Sequence, residues 1–284
     1  MTLTKTSRWL APALVLLLAL AQSASAQQAV WTDAAVQPSR NVGLVRQQAI
    51  LLSYDGDDAG VFNDTTEFRS RTSFSYGLTK EFAFTASVPL VYRDTNSDLP
   101  DFDGDEFGLD DVMIMTKLRL WQNDFGPTDT ARFSVMAGAS VPVGDSTFSS
   151  GSVDPMVGAV YTIIDGRHGF NASARYRINT NAEDIYVSPG TGEHDALFLD
   201  SAYLFRFAPT EYTPATSSGA WYAVIEGVYT YETDNSHEFC LAPGLMFEGS
   251  RWAFEASVML PVYQDVQTRP ERNFGVTVGL RYLF

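Results

Sequence analysis

The sequence predicts an all-β fold: a transmembrane antiparallel up-and-down β-barrel of about 12 strands. Three observations carry that expectation. Apolar and aromatic residues recur at every second position through stretches of about 10 to 13 residues, which is a strand period and not a helix period. The joints between those stretches alternate between short and long. The chain also opens with a leader of the secretory kind, and after it no segment approaches the roughly 18 apolar residues that a spanning helix needs.

The leader reads in three parts. Lys5 and Arg8 form a positive start, residues 10–20 an apolar core, and Ala24, Ser25 and Ala26 a small-residue cleavage signal. A signal peptide over 1–26 is therefore expected, with a membrane anchor as the alternative that the short apolar run disfavours. Residues 27–41 show no clean strand pattern. They are expected to form a periplasmic lead, or a plug folded into the lumen with Trp31 as an apolar contact. Residues 42–284 form the barrel.

Without Lys5 and Arg8 the chain has 17 basic against 34 acidic residues, a formal −17. Such a balance excludes a nucleic-acid partner, which would require a basic footprint. Cys240 is the only cysteine, so no intramolecular disulfide can form.

Strands are expected at 43–54, 66–77, 81–92, 111–122, 130–141, 155–164, 169–179, 195–206, 220–231, 238–248, 251–262 and 272–284. After the first comes the polar loop DGDDAGVFNDTTE, after the second the tight GLTK turn, and after the third the acidic DTNSDLPDFDGDEFGLDD. NDFGPTDT and DGRH continue the short joints, and PVGDSTFSSGSVD and NTNAEDIYVSPGTGEH the long ones. APTEYTPATSSGA and TDNSHE break the rhythm, one too long and one too short. Short joints match periplasmic turns and long ones extracellular loops. An even strand number puts both ends on the periplasmic side.

Face counting gives each strand two unlike sides. In 251–262, Trp252, Phe254, Ala256, Val258, Leu260 and Val262 share one face, with Glu255 and Ser257 on the other. In 169–179, Phe170, Ala172, Ala174, Tyr176 and Ile178 oppose Asn171, Ser173, Arg175 and Arg177. In 81–92, Phe82, Phe84, Ala86, Val88, Leu90 and Tyr92 oppose Glu81, Thr85 and Ser87. The last strand sets Phe274, Val276, Val278, Leu280, Tyr282 and Phe284 against Asn273, Gly275, Thr277, Gly279 and Arg281. A soluble sandwich would show the same alternation. The membrane reading rests on the even strand lengths and on aromatics at strand ends, among them Tyr54, Tyr76, Phe82, Tyr92, Trp221, Tyr231, Trp252, Tyr263, Tyr282 and Phe284, placed as an interfacial girdle requires.

Three segments carry a family resemblance: FGLDDVMIMTKLRL (107–120), VPVGDSTFSSGSVDPMVGAVYT (141–162) and GFNASARYRIN (169–179). They resemble the MetA-pathway of phenol degradation family of outer-membrane transporters, over roughly 42–284. In place of that family's Gly-Asp element this chain reads Gly108, Leu109, Asp110 and Asp111. The resemblance implies an outer-membrane barrel that passes small solutes, aromatic or other hydrophobic compounds among them. It implies no catalytic residues and no cofactor. A terminal strand ending in Phe284 likewise resembles the signal that such barrels show to their assembly machinery. A structural or adhesion barrel, and an outer-membrane lipid hydrolase, are the alternatives from other classes.

Parity selects the lumen candidates. Arg71, Arg119, Arg175, Arg177, Glu226 and Glu255 are expected inside, with Arg69, Lys117, Arg206, Arg281, Asp200 and Glu81 beside them. Each charge would be costly against lipid. Together they form either a bracing salt-bridge network or a selectivity-setting constriction. In the acidic loop, Asp101, Asp103 and Asp105 have the spacing that begins a calcium loop, but Glu106 stands where that loop needs glycine. A solvated acidic loop is the plainer reading. His168, His194 and His237 are the only histidines, and no metal-binding spacing exists. Glu193, Asp195, Ser236 and Glu238 flank the last two only as sequence neighbours on opposite strand faces, which builds no triad.

Overall fold

A computed structural model describes residues 28–56, 63–98, 103–180, 187–212 and 219–284. The expected leader, Asp101 and part of the acidic loop lie outside these residues. Thirteen strands run in the order β1 (Gly43–Asp55), β2 (Asp64–Gly77), β3 (Phe82–Asn96), β4 (Gly104–Leu109), β5 (Val112–Asp124), β6 (Thr130–Val141) and β7 (Asp154–Asp165). They continue as β8 (His168–Arg177), β9 (Ala196–Ala208), β10 (Gly219–Glu232), β11 (His237–Gly249), β12 (Trp252–Asp265) and β13 (Arg272–Leu283).

Each long strand pairs antiparallel with its sequence neighbours, and β1 pairs with β13 from Leu44↔Leu283 to Tyr54↔Arg272. The sheet therefore closes into a twelve-strand barrel with β4 as an extra piece. Closure removes the edge that lipid could not hydrogen-bond. Backbone bonds from Gly43 N to Phe284 O and from Phe284 N to Gly43 O, both 2.9 Å, finish the seam.

The two wall surfaces are inverted relative to a soluble protein. Val258, Leu260, Leu245, Val278 and Leu280 stand exposed along the outside, while Glu67, Glu226 and Glu255 are wholly buried inside. An apolar exterior this extensive requires hydrocarbon as its solvent. That removes the sandwich alternative, whose greasy faces would meet each other.

β4 was hidden in the acidic loop. It pairs with the upper half of β3, from Leu90↔Leu109 to Thr95↔Gly104, while β5 pairs with the lower half, from Phe82↔Leu118 to Ser87↔Met113. Residues 104–124 are thus one course of wall, broken at Asp110 and Asp111 opposite Pro89. Proline's missing N–H removes a ladder bond there, but its carbonyl accepts from Asp110 N at 3.0 Å.

Residues 28–39 run inside the barrel, among inward side chains from most of the wall. Ala29, Val30, Ala34 and Ala35 are buried there. Ala35 packs on Met136 and Val160, and Trp31 packs on both the Ile50–Leu52–Tyr54 cluster and the Cys240–Ala242–Met259 cluster. The segment leaves past the β2–β3 turn, where Arg40 bridges Gly77 and Asn41 donates to the Gly77 carbonyl at 2.8 Å. A Cβ on Gly77 would collide with the backbone of Pro38 and Ser39, so only glycine lets the segment pass.

Four side-chain expectations fail. Tyr54 is not in the outer girdle; it is buried in the lumen beneath Arg272, whose guanidinium carbon lies 5.1 Å from the ring centre. Asn273 is exposed rather than inward, because a bulge shifts the β1–β13 register at Ser53/Tyr54 and turns Arg272 inside in its place. Glu81 lies exposed in the short β2–β3 turn, just before the wall begins. Arg119 sits near that same turn, donating to the Lys80 carbonyl at 2.6 Å, and does not line the central cavity.

Candidate functional site

The barrel encloses a cavity of about 410 Å³, within the size range of small-molecule sites. Its floor is the inserted segment. Its upper boundary includes the loop after β8, whose Val187 packs on Ile50, Leu52 and Tyr54 with Trp31 against them. The walls mix guanidinium groups with thioethers and rings: Arg71 and Arg175 face the same space as Met113, Met115, Met136, Met156, Met259 and Phe198.

Two carboxylates hold the segment. Glu226, central on β10, accepts from the backbone N–H groups of Val30 (2.9 Å), Trp31 (3.0 Å) and Thr32 (2.7 Å). Three convergent peptide N–H groups form an anion nest, and no cation is needed. Glu255 on β12 pairs with Arg46 of β1 and Arg281 of β13, and accepts from Gln48 Nε2 at 2.9 Å. Arg46 Nη2 then donates to Val30 O at 2.7 Å, and Arg281 Nη2 to Gln28 O at 2.6 Å. Gly279 makes room for this knot: a Cβ there would lie 2.6 Å from Glu255 Oε1.

Beside the nest the segment presents Asp33 to a cationic wall. Arg175 Nε lies 3.7 Å from Asp33 Oδ2, while Arg175 Nη2 reaches Asp200 Oδ2 at 3.3 Å and the guanidinium carbon sits 5.2 Å from the centre of the Phe198 ring. Lys117 Nζ donates to Ala34 O at 2.6 Å. Burial pushes the Asp33 carboxyl up, but Lys117, Arg175, Arg46 and Arg71 outweigh it and hold it below the usual carboxylate value. Arg71 itself makes no ion pair or hydrogen bond with any described residue.

The other candidates separate from this group. Arg177 pairs with Asp154 nearer the long-loop rim, where Asp154 also accepts from Ser152 Oγ at 2.6 Å and Thr180 N at 3.1 Å. Asp103 accepts from Ser97 N at 3.2 Å, and Asp105 lies in β4 opposite Asp94, so these two acids form no cation cage among the described residues. His168 and His237 bond to Tyr203 and Tyr229 at 2.6 and 2.7 Å, and His194 contacts Glu193 at 3.2 Å. None of the three has a serine partner among the described contacts.

A second set, of which parity named only Arg69, lies near the long-loop end. Glu67 binds Arg69 and Arg93, both at 2.8 Å; Arg69 also binds Asp110 at 2.9 Å and contacts Ser188. Arg269 joins Glu232 and Glu238 at 2.8 Å, and Arg272 reaches Glu238 at 2.7 Å. These pairs lash loop residues to the inner wall. The glycine- and aspartate-rich motifs meet at one corner of the same rim. Asp145 N donates to Leu109 O at 2.7 Å, Asp145 Oδ2 accepts from Leu109 N at 2.6 Å, and Asp111 accepts from Ser150 N and Oγ at 2.9 and 2.8 Å. Their work is structural: they tie the end of β4 at Leu109, and the break after it, to residues 145–150.

A closed twelve-strand wall, greasy outside and charged inside, defines a β-barrel of the outer-membrane type. The chain belongs to the family described as Putative MetA-pathway of phenol degradation, which matches residues 36–282. Among solved structures the COG4313 outer membrane channel from Pseudomonas putida F1 is similar, at 11% identity and a TM-score of 0.59, covering 91% of this chain and 99% of that one. The beta domain of the Bordetella autotransporter BrkA is similar at 12% identity, TM-score 0.48, over 86% and 100% of the two chains. The KdgM porin in complex with disordered oligogalacturonate is similar at 10% identity, TM-score 0.45, over 85% and 99%. No curated protein matches the sequence.

Proposed function

We propose that the protein is an outer-membrane channel for passive uptake of small solutes that combine an apolar body with a polar group, aromatic compounds among them. The observation that supports this most is the cavity itself: an internal space walled by the strands, with methionines and Phe198 on the same surface as Arg71 and Arg175. Residues 28–39 act as a plug that narrows the passage, and a cleaved signal peptide over 1–26 directs export. The terminal strand ending in Phe284 is the part offered to the assembly machinery. Arg71 and Arg175 set selectivity, whereas Arg177, Glu226 and Glu255 brace the wall or the plug.

Planar-bilayer recording tests the reading. Purified protein should conduct in small steps, and deleting residues 28–39 should enlarge them. A silent barrel that stays silent after the deletion favours a structural or adhesion role instead.

A second route has one observation in its favour. The wall is interrupted at Asp110 and Asp111 opposite Pro89, and Pro89 lines the cavity. On this route an apolar solute crosses the wall sideways there, between lumen and bilayer.

A further inference from the structure

The cationic wall of the cavity has more charge than its partners consume. Glu255 is shared by Arg46 and Arg281, and Asp200 by Arg175. Asp33 stands 3.7 Å from Arg175, beyond hydrogen-bonding distance, with Lys117 also near it. Arg71 makes no ion pair or hydrogen bond with a described residue; Asp110, the carboxylate whose field reaches it, is already bonded to Arg69 at 2.9 Å, yet Arg71 lines the same space. A guanidinium left in a low-dielectric enclosure without a counter-ion is costly unless something supplies one. Facing it are soft groups that adapt to varied apolar shapes: Met113, Met115, Met136, Met156 and Met259.

We propose that the cavity is a binding site for small monocarboxylates, with Arg71 taking the carboxylate and the methionine-rich wall taking the aromatic or short aliphatic body. The planar guanidinium offers a bidentate grip on a carboxylate, and 410 Å³ accommodates a single-ring acid. Asp33 is the resident competitor. The inserted segment carries this carboxylate into the same field of Lys117, Arg175, Arg46 and Arg71. A bound acid and the segment thus draw on one set of cations. The site deepens the channel reading by naming its solute class, but binding stands apart from passage.

The test uses the full mature chain in phosphatidylcholine nanodiscs, titrated calorimetrically with benzoate and with benzamide, its uncharged counterpart of similar shape. Benzoate should bind at least about tenfold tighter. Arg71→Ala should bring the two ligands level, and Asp33→Asn should tighten benzoate severalfold while leaving benzamide alone. Heat-modifiable migration on gels confirms that each variant is a closed barrel. Equal wild-type affinities, or benzoate affinity unchanged in Arg71→Ala, overturn the proposal. Flux of both solutes into proteoliposomes separates it from the broader reading. Benzoate binding without flux sinks the channel and keeps the site. Flux with no preference for the acid keeps the channel and sinks the site.

Discussion

Replacing Glu226 by alanine should free the inserted segment without opening the wall. The carboxylate takes three peptide N–H groups at 2.7 to 3.0 Å and, among the described residues, bonds to no neighbouring strand through its side chain. Hydrogen bonds to a charged group contribute about 1.5–3 kcal/mol each. Water entering the emptied space would recover much of that, so a net loss of about 3 kcal/mol is reasonable for the three together. At 1.4 kcal/mol per tenfold, docking should weaken about a hundredfold. The Glu255 knot and the Ala35 contacts remain, so the variant should flicker rather than stay open. In planar bilayers, Glu226→Ala should show larger and longer conductance steps than wild type. Protease added on the short-turn side should clip residues 28–39 faster. If step size, dwell time and protection all match wild type, Glu226 does not anchor the segment and the nest has been misread.

Three further outcomes are expected. Glu255→Gln leaves Arg46 and Arg281 buried without a counter-charge, which should cost about 3–5 kcal/mol in urea unfolding from vesicles; a loss under about 1 kcal/mol would mean that water already screens the knot. Val258→Arg puts a cation on the exposed middle of β12 and should cost about 2–4 kcal/mol in lipid; a neutral result would place that face in water. Asp33 has a depressed pKa, so its contribution to docking is fully present above its ordinary value of 3.8 and fades as pH falls through the lower docked value. The share of the conductance change that Asp33 controls should therefore appear only below about pH 4, and Asp33→Asn should lose that acid step while leaving the response at higher pH as in wild type.

The strands were readable because period-two alternation is imposed by the two media on the wall. Every expected strand is found within a few residues of its expected bounds, including the final one. Parity chose Arg175, Arg177, Glu226 and Glu255 because a charge on the lipid side would be prohibitive, and their side chains lie on the inner face, which says nothing of their role. It failed where a bulge inserts one residue. Arg272, on the apolar parity of its strand, swings inward because Asn273 is skipped in the pairing with β1. Arg46 and Gln48 were available from the same parity rule in β1, but only contact geometry shows that they serve Glu255 and the segment. β4 was masked by its acids: Asp105 and Glu106 read as loop, though a rim strand in water tolerates them. The inserted segment was least legible. A chain that is bonded through its backbone to side chains from many strands needs no periodic pattern, and Asp33 and Trp31 look ordinary in sequence.

The Glu255 knot has an implication for how the molecule matures. One carboxylate joins side chains from the first strand, the last strand and the strand before it, and the two arginines it orients hold the backbone of the inserted segment. Those groups converge only after the hoop has been zipped shut. A half-built sheet offers the segment no such clasp, so its capture acts as a built-in receipt that the circle is complete.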